Sequence, residues 1–205
     1  TEYLMRGTVR RGLAANMNAG LSFAVSDITH RREIKPDARS FSVGPFAEWA
    51  LSEYIRLIGS ASFITADFEA TPALPDASSY RGVSAYLELR HLLNSRYNYS
   101  LTVSQGFNYG FASTGRETWA LDYRYSWLAH PDWRVEGEMR FEHGDHERGL
   151  IEEVYDRWTV AVSTRRDFGR RLRGLLQVRY SEKNSDLAGR SYNRFLVSAQ
   201  AVYDF

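Results

Sequence analysis

The sequence predicts an all-β chain folded as an antiparallel up-and-down transmembrane β-barrel, with about eleven strands visible in its 205 residues. Three observations predict it. Apolar and polar residues alternate over runs of roughly 9–11 residues, the length a tilted strand needs to cross a bilayer. The connections alternate between tight polar turns and longer, more charged loops. Aromatic residues make up 14% of the chain and gather at strand ends, as two interfacial belts require.

In order, the predicted strands run Tyr3–Leu13, Met17–Thr29, Arg39–Leu51, Tyr54–Phe68, Tyr80–Leu92, Tyr97–Phe111, Thr118–Leu128, Trp133–His143, Val154–Asp167, Leu172–Glu182 and Ser191–Phe205. The eighth is the clearest. Trp133, Val135, Gly137, Met139 and Phe141 alternate with Arg134, Glu136, Glu138, Arg140 and Glu142. Side chains in a strand point alternately to opposite faces, so this segment has one greasy face and one charged face. The seventh strand does the same, with Trp119, Leu121, Tyr123, Tyr125 and Trp127 set against Ala120, Asp122, Arg124 and Ser126. In the last strand Phe195, Val197, Ala199, Ala201, Tyr203 and Phe205 form the apolar face. Pro45 is discordant in the third strand because proline removes a ladder donor, and a β-bulge is expected there.

Tight turns are read at Ala14–Asn16, Ser52–Glu53, Asn94–Arg96, His130–Asp132 and Gly169–Arg171. Longer loops are read at Ile28–Ala38, Glu69–Ser79, Ala112–Glu117, Gly144–Glu153 and Lys183–Arg190. Short turns on one rim and long loops on the other are the asymmetry of an outer-membrane barrel, with the short side periplasmic. No linker or low-complexity tract divides residues 1–205, which read as a single domain. Counting back from the last strand places Thr1 at the outer rim. Bacterial barrels normally begin in the periplasm with an even strand count. The chain is therefore expected to be the C-terminal part of a barrel of 12 or more strands, unable to close directly between its first and last strands.

Composition removes several alternatives. A net charge of +1 gives no clustered basic excess for nucleic acid. Cysteine is absent, so disulfides and thiolate metal sites are excluded. No apolar run approaches the roughly 18 residues of a membrane helix, and the mean hydropathy of −0.44 is compatible with strands that average two faces. A lipocalin-like soluble barrel has the same periodicity with its faces exchanged. Against it stand the two aromatic belts: Trp49, Tyr54, Tyr97, Trp127, Trp133, Phe168 and Tyr203 near the short turns, and Tyr80, Tyr109, Trp119, Tyr155 and Tyr192 near the long loops. Gly7, Gly59, Gly137 and Gly174 on the apolar face are also expected to leave gaps that suit fluid lipid better than a packed core.

The polar face holds the candidate functional residues. Lumen-lining charges are read at Arg56, Glu88, Arg90, Asp122, Arg124, Arg134, Glu136, Glu138, Arg140, Arg157, Arg165, Arg173, Arg179 and Arg194. With Arg6, Arg10, Glu48, Glu142 and Asp204 added, the arginines outnumber the acids. Fixed charges in a wet lumen set ion selectivity, and this excess favours anions weakly. The alternative is that neighbouring acids and bases neutralise each other and brace the wall. Phe46 and Tyr86 are the lumen aromatics expected. His143, Asp145 and His146 carry ligand types for a divalent metal, though loop charge explains them as well. Acids such as Glu147, Glu152 and Glu153 have the chemistry to hold cations that bridge lipopolysaccharide. The five histidines are dispersed and no serine stands beside one, so neither an enzyme nor a cofactor site is read.

The closing strand, FLVSAQAVYDF, resembles that of bacterial outer-membrane barrels, where a terminal aromatic serves the assembly machinery. That resemblance implies an assembly signal at Tyr203 and Phe205, a Gram-negative outer-membrane location, and lipid, lipopolysaccharide and the barrel assembly machinery as partners. The closing hairpin further resembles the beta-barrel porin 2 outer-membrane family, through Tyr180, Ser181, Ser185, Asp186, Tyr192, Asn193, Tyr203 and Phe205. It implies a porin-like channel for small polar or anionic solutes, with a link to exopolysaccharide export. The competing expectation is a structural anchor without an open pore, docked to other outer-membrane or periplasmic subunits.

Overall fold

The computed structural model describes residues 2–29, 37–69, 79–108, 113–149, 152–169 and 171–204. The eleven strands are β1 (Glu2–Ala14), β2 (Met17–Ile28), β3 (Ala38–Ala50), β4 (Ile55–Phe68), β5 (Tyr80–Asn94), β6 (Tyr97–Asn108), β7 (Ser113–His130), β8 (Trp133–Gly149), β9 (Glu153–Phe168), β10 (Leu172–Ser185) and β11 (Tyr192–Tyr203). They form one sheet in strict sequence order, each strand antiparallel to the next. The fold is thus all-β and up-and-down, and no helix occurs among the described residues. β1 and β11 lie at the two edges, run in the same direction and do not pair with each other.

Two different faces explain why these residues make strands. On β8 and β7 the odd-numbered apolar residues pair across the ladder, Leu121 with Phe141 and Tyr123 with Met139. Their even-numbered neighbours pair likewise, Asp122 with Arg140 and Arg124 with Glu138. Large apolar side chains on the first face stay open, with Phe195 at 66% and Val9 at 69% exposure. Apart from alanines such as Ala66 and Ala120, the buried side chains are charged or hydroxylated: Glu142 is 2% and Asp122 5% exposed. A sheet with its polar face packed and its apolar face bare is inverted relative to a water-soluble fold, and lipid is the solvent that suits it.

Several local expectations change. Val43 pairs with Phe63 and Phe46 with Ser60, so the register is unshifted across Pro45 and no bulge forms. The rungs between those pairs are missing, because proline has no N–H to give, while Leu21 and Pro45 remain opposite on the β2 side. A Cβ on Gly44 would strike the Ala61 carbonyl, so glycine lets the two backbones come close there. The predicted loops Ala112–Glu117 and Gly144–Glu153 are largely strand. Glu117 pairs with Asp145, and His146 with Glu153. Hydrophobic alternation ends where the lipid ends, but the hydrogen-bond ladder does not, so β7 and β8 stretch to 18 and 17 residues.

Two of the four glycines of the apolar face, Gly7 and Gly137, are not gaps. Phe23 lies directly opposite Gly7 and Tyr125 opposite Gly137, each ring occupying the space a Cβ would take. Aromatic cover of a facing glycine fills the sheet surface and pins the register of the pair. The same device recurs on the polar face, where Phe46 covers Gly20 and Tyr155 covers Gly144.

The belts also need correcting. Trp49, Trp127, Trp133 and Phe168 stand exposed near the short turns, as expected. Near the long loops Trp119 is exposed, but Tyr80 and Tyr155 are buried on the polar face at 7% and 2%. Tyr192 sits opposite Lys183 on that same polar face. The outer apolar rim is instead marked by Phe141 and Trp158, whose rings meet at 4.6 Å. Tyr109 and Phe205, and the side chains of His146 and Glu147, lie outside the described residues.

Candidate functional site

Register turns the polar face into transverse rows. One row runs Arg56, Arg90, Ser100, Arg124, Glu138, Ala161 and Arg179 across β4 to β10. The next row toward the long loops includes Glu88, Thr102, Asp122, Arg140, Thr159, Ser181 and Arg194. All fourteen charges read from the sequence lie on this face, because each hairpin keeps the alternation in phase with its neighbour.

In the outer half, charges are joined into a network. Glu142 accepts hydrogen bonds from Arg140 at 3.0 Å, Arg157 at 2.8 Å and the Tyr155 hydroxyl at 2.6 Å. Arg140 turns its other nitrogen to Asp122 at 2.8 Å. Such buried acids are tolerable only because each is met by guanidinium donors, which satisfy the carboxylate and cancel its charge. One oxygen of Asp122 is buried without a hydrogen bond, facing Arg124 at 3.6 Å. Glu88 is held by Arg90 at 2.8 Å and by the Tyr86 hydroxyl at 2.7 Å.

Above the apolar rim, Glu153 forms a second knot. It accepts bonds from Lys183, Ser185 and Arg190, and is 3% exposed. Burial alone would raise its carboxyl. The three donors outweigh that effect and hold it down to about 2. The β10–β11 loop is thereby tied to the start of β9, with Asp186 accepting from the Val154 backbone and Gly189 supplying a turn at φ 79°.

Toward the short turns the balance changes. Arg56 lies opposite Arg90, and Arg134 opposite Arg165. Among the described residues neither Arg56 nor Arg134 makes an ion pair, and Glu136 makes none either; Arg194, in the row toward the long loops, is likewise without one. Arg165 and Arg173 share the single carboxylate Asp167 at 3.6 and 3.0 Å. Arg179 reaches Glu138 only at 3.8 Å. Between these arginines and the outer network lies a hollow of about 400 Å³ lined by Asn98, Ser126, Glu136, Ser163 and Gln177 among others. Across β7 to β10, the joined charges of the network therefore give way to hydroxyls and amides and then to arginines that outnumber the acids paired with them.

Sequence reasoning missed Tyr155, Glu153 and Asp167 as members of this face. Their signal was parity: they are in phase with Arg157 and Arg165 along β9. Of the metal candidates, the His146 side chain lies outside the described residues, so only His143 and Asp145 are placed. His143 is bonded to Asp156 at 2.8 Å, and no group of three such ligand side chains comes together among the described residues.

No protein-family model matches the sequence, and no curated protein matches it. Solved structures do. The sheet is similar to part of FpvA of P. aeruginosa bound to a heterologous pyoverdine, with TM-score 0.66, 12% identity, and coverage of 100% of this chain and 38% of that one. It is similar to the FrpB iron transporter of Neisseria meningitidis, with TM-score 0.65, 8% identity, and coverage of 94% and 36%. For the ferric-catecholate import receptor Fiu of E. coli K12 the values are 0.61, 9%, and 97% and 49%. The chain thus spans between about a third and a half of the length of these outer-membrane β-barrels, and at such low identity the likeness is one of fold.

Proposed function

We propose that the chain forms wall of an outer-membrane β-barrel channel, porin-like, passing small polar or anionic solutes, with its short turns toward the periplasm. What carries this reading is the division of the sheet: a bare apolar face and a polar face on which Arg56 and Arg134, near the short turns, have no acid partner among the described residues. Fixed cations beside a wet path attract anions, and salt weakens them because the Debye length falls to about 3 Å at 1 M. The arginine excess acts from Arg56 and Arg134, with Arg165 and Arg173 sharing one acid, and not from Arg90 or Arg140, whose charges Glu88, Asp122 and Glu142 already absorb. Membership in the beta-barrel porin 2 family and a link to exopolysaccharide export rest on the closing-hairpin resemblance alone.

A second reading has its own support. The Asp122–Arg140–Glu142–Arg157 network braces the wall, as an anchor barrel without an open pore would use it. Planar-bilayer recordings separate the two. A channel gives conductance steps and a reversal potential of anion preference in a salt gradient. Arg134→Glu with Arg165→Glu moves that potential toward cations. Folded protein without conductance leaves the anchor.

A further inference from the structure

Within that channel reading, we infer that the wall carries a built oxyanion site at its short-turn end, centred on Arg56 and Arg90 and taking phosphate or a phosphorylated solute. The two arginines are directly opposite on β4 and β5. Like charges in facing positions repel, so the pair destabilises the sheet unless something negative lies between or over them. Glu88 takes one nitrogen of Arg90. Arg56 has no ion-pair partner among the described residues, and both side chains are exposed on the polar face.

A hollow of about 500 Å³ lies over them, lined also by Ser52, Asn98 and Ser100. Asn98 and Ser100 border the neighbouring hollow of about 400 Å³ as well, so the two adjoin along the wall. Ser100 is opposite Arg90 on one side and Arg124 on the other, which puts a hydroxyl donor between two guanidiniums in one row. Arg124 meets Asp122 and Glu138 only at 3.6 Å, beyond hydrogen-bond length, so its donors remain available. Guanidinium forks with a hydroxyl and an amide beside them are the donor set that suits a tetrahedral oxyanion. Glu53 borders the hollow at the turn and sets its limit on the negative side. It is the one acid among the described residues that line the hollow.

The test is equilibrium binding to the full chain folded in detergent micelles, followed by ³¹P linewidths of inorganic phosphate and pyrophosphate in a chloride background. Saturable binding is expected, tighter for pyrophosphate. It should weaken roughly tenfold or more in Arg56→Gln and in Arg90→Gln, since each removes a charge-assisted donor. Arg56→Lys keeps the charge without the fork and should fall between. Arg39→Gln, on the apolar face and paired with Asp27, should bind as the parent does. Absence of saturable binding, or equal affinity in the parent and both glutamine variants, overturns the site. Micelle binding does not depend on an open lumen, so a failed site and a failed channel give different results.

Discussion

Replacing Glu142 by glutamine should be among the costliest single charge removals on the polar face. The carboxylate is 2% exposed, and one of its oxygens receives Arg140 and Arg157 while the other receives Tyr155. Breaking a buried pair by removing one partner costs about 3–5 kcal/mol, because the remaining charge is left uncompensated. Two facts lower the figure here. The guanidinium side chains keep 32% and 31% of their exposure, and Arg140 retains Asp122 at 2.8 Å. A loss of about 2–3 kcal/mol is therefore expected. Glu48→Gln is the internal comparison. It breaks the Arg10 pair, whose side chains are 50% and 35% exposed, and should cost no more than about 1 kcal/mol. Urea unfolding in phospholipid vesicles, followed by tryptophan fluorescence, reads both. Adding Arg157→Gln to Glu142→Gln should recover part of the loss by removing a stranded cation. If Glu142→Gln unfolds within about 0.5 kcal/mol of Glu48→Gln, the network is not what braces this wall.

Two further outcomes follow from the outer rim and the apolar face. Glu153 is lowered from 4.5 to about 2, so its contribution is fully present above pH 4.5 and drains away as pH falls through 2. Its size is at most about 3 kcal/mol. Proteolysis within the β10–β11 loop should stay slow down to about pH 3 in the parent chain, whereas Glu153→Gln should open that loop at neutral pH; loss of parent protection already at pH 5 would contradict the assignment. Gly137→Ala should displace the Tyr125 ring and cost about 1 kcal/mol or more, as overpacking does. Tyr125→Ala should relieve it, so the double variant should cost less than the two losses added, by at least about 0.5 kcal/mol. Strict additivity would mean that the ring does not cover the glycine.

Much of this architecture was legible in the residues because alternation is a two-state code. In β8 a one-residue slip would put Arg134, Glu136, Glu138 and Arg140 into lipid, so the pattern admits one reading. What escaped was whatever lay beyond the lipid. Above the rim both faces of β7 and β8 are wet, polar residues fill both, and a strand there looks like a loop. Tyr80 and Tyr155 escaped for a related reason: an aromatic near a strand end suits a belt or a lumen acid equally, and only parity with Arg157 places Tyr155 against Glu142. Ion pairs were beyond reach as well. Sequence shows which charges share a face, but not that Asp167 serves two arginines while Arg134 has none.

The strict sequence order of the strands bears on how such a chain is assembled. Among the described residues no ladder joins strands that are not consecutive, so each step of folding closes only one short loop. The entropy of ordering is met in instalments, hairpin by hairpin, and every instalment is repaid at once by the rungs it forms. Aromatic-on-glycine contacts such as Phe23 with Gly7 lie within single hairpins, so each unit carries its own register check before the next one arrives. A break in one long loop would leave every ladder on either side with its neighbours intact. Topology of this kind lets a wall be laid progressively into a bilayer, with no step in which distant parts of the chain must first find each other.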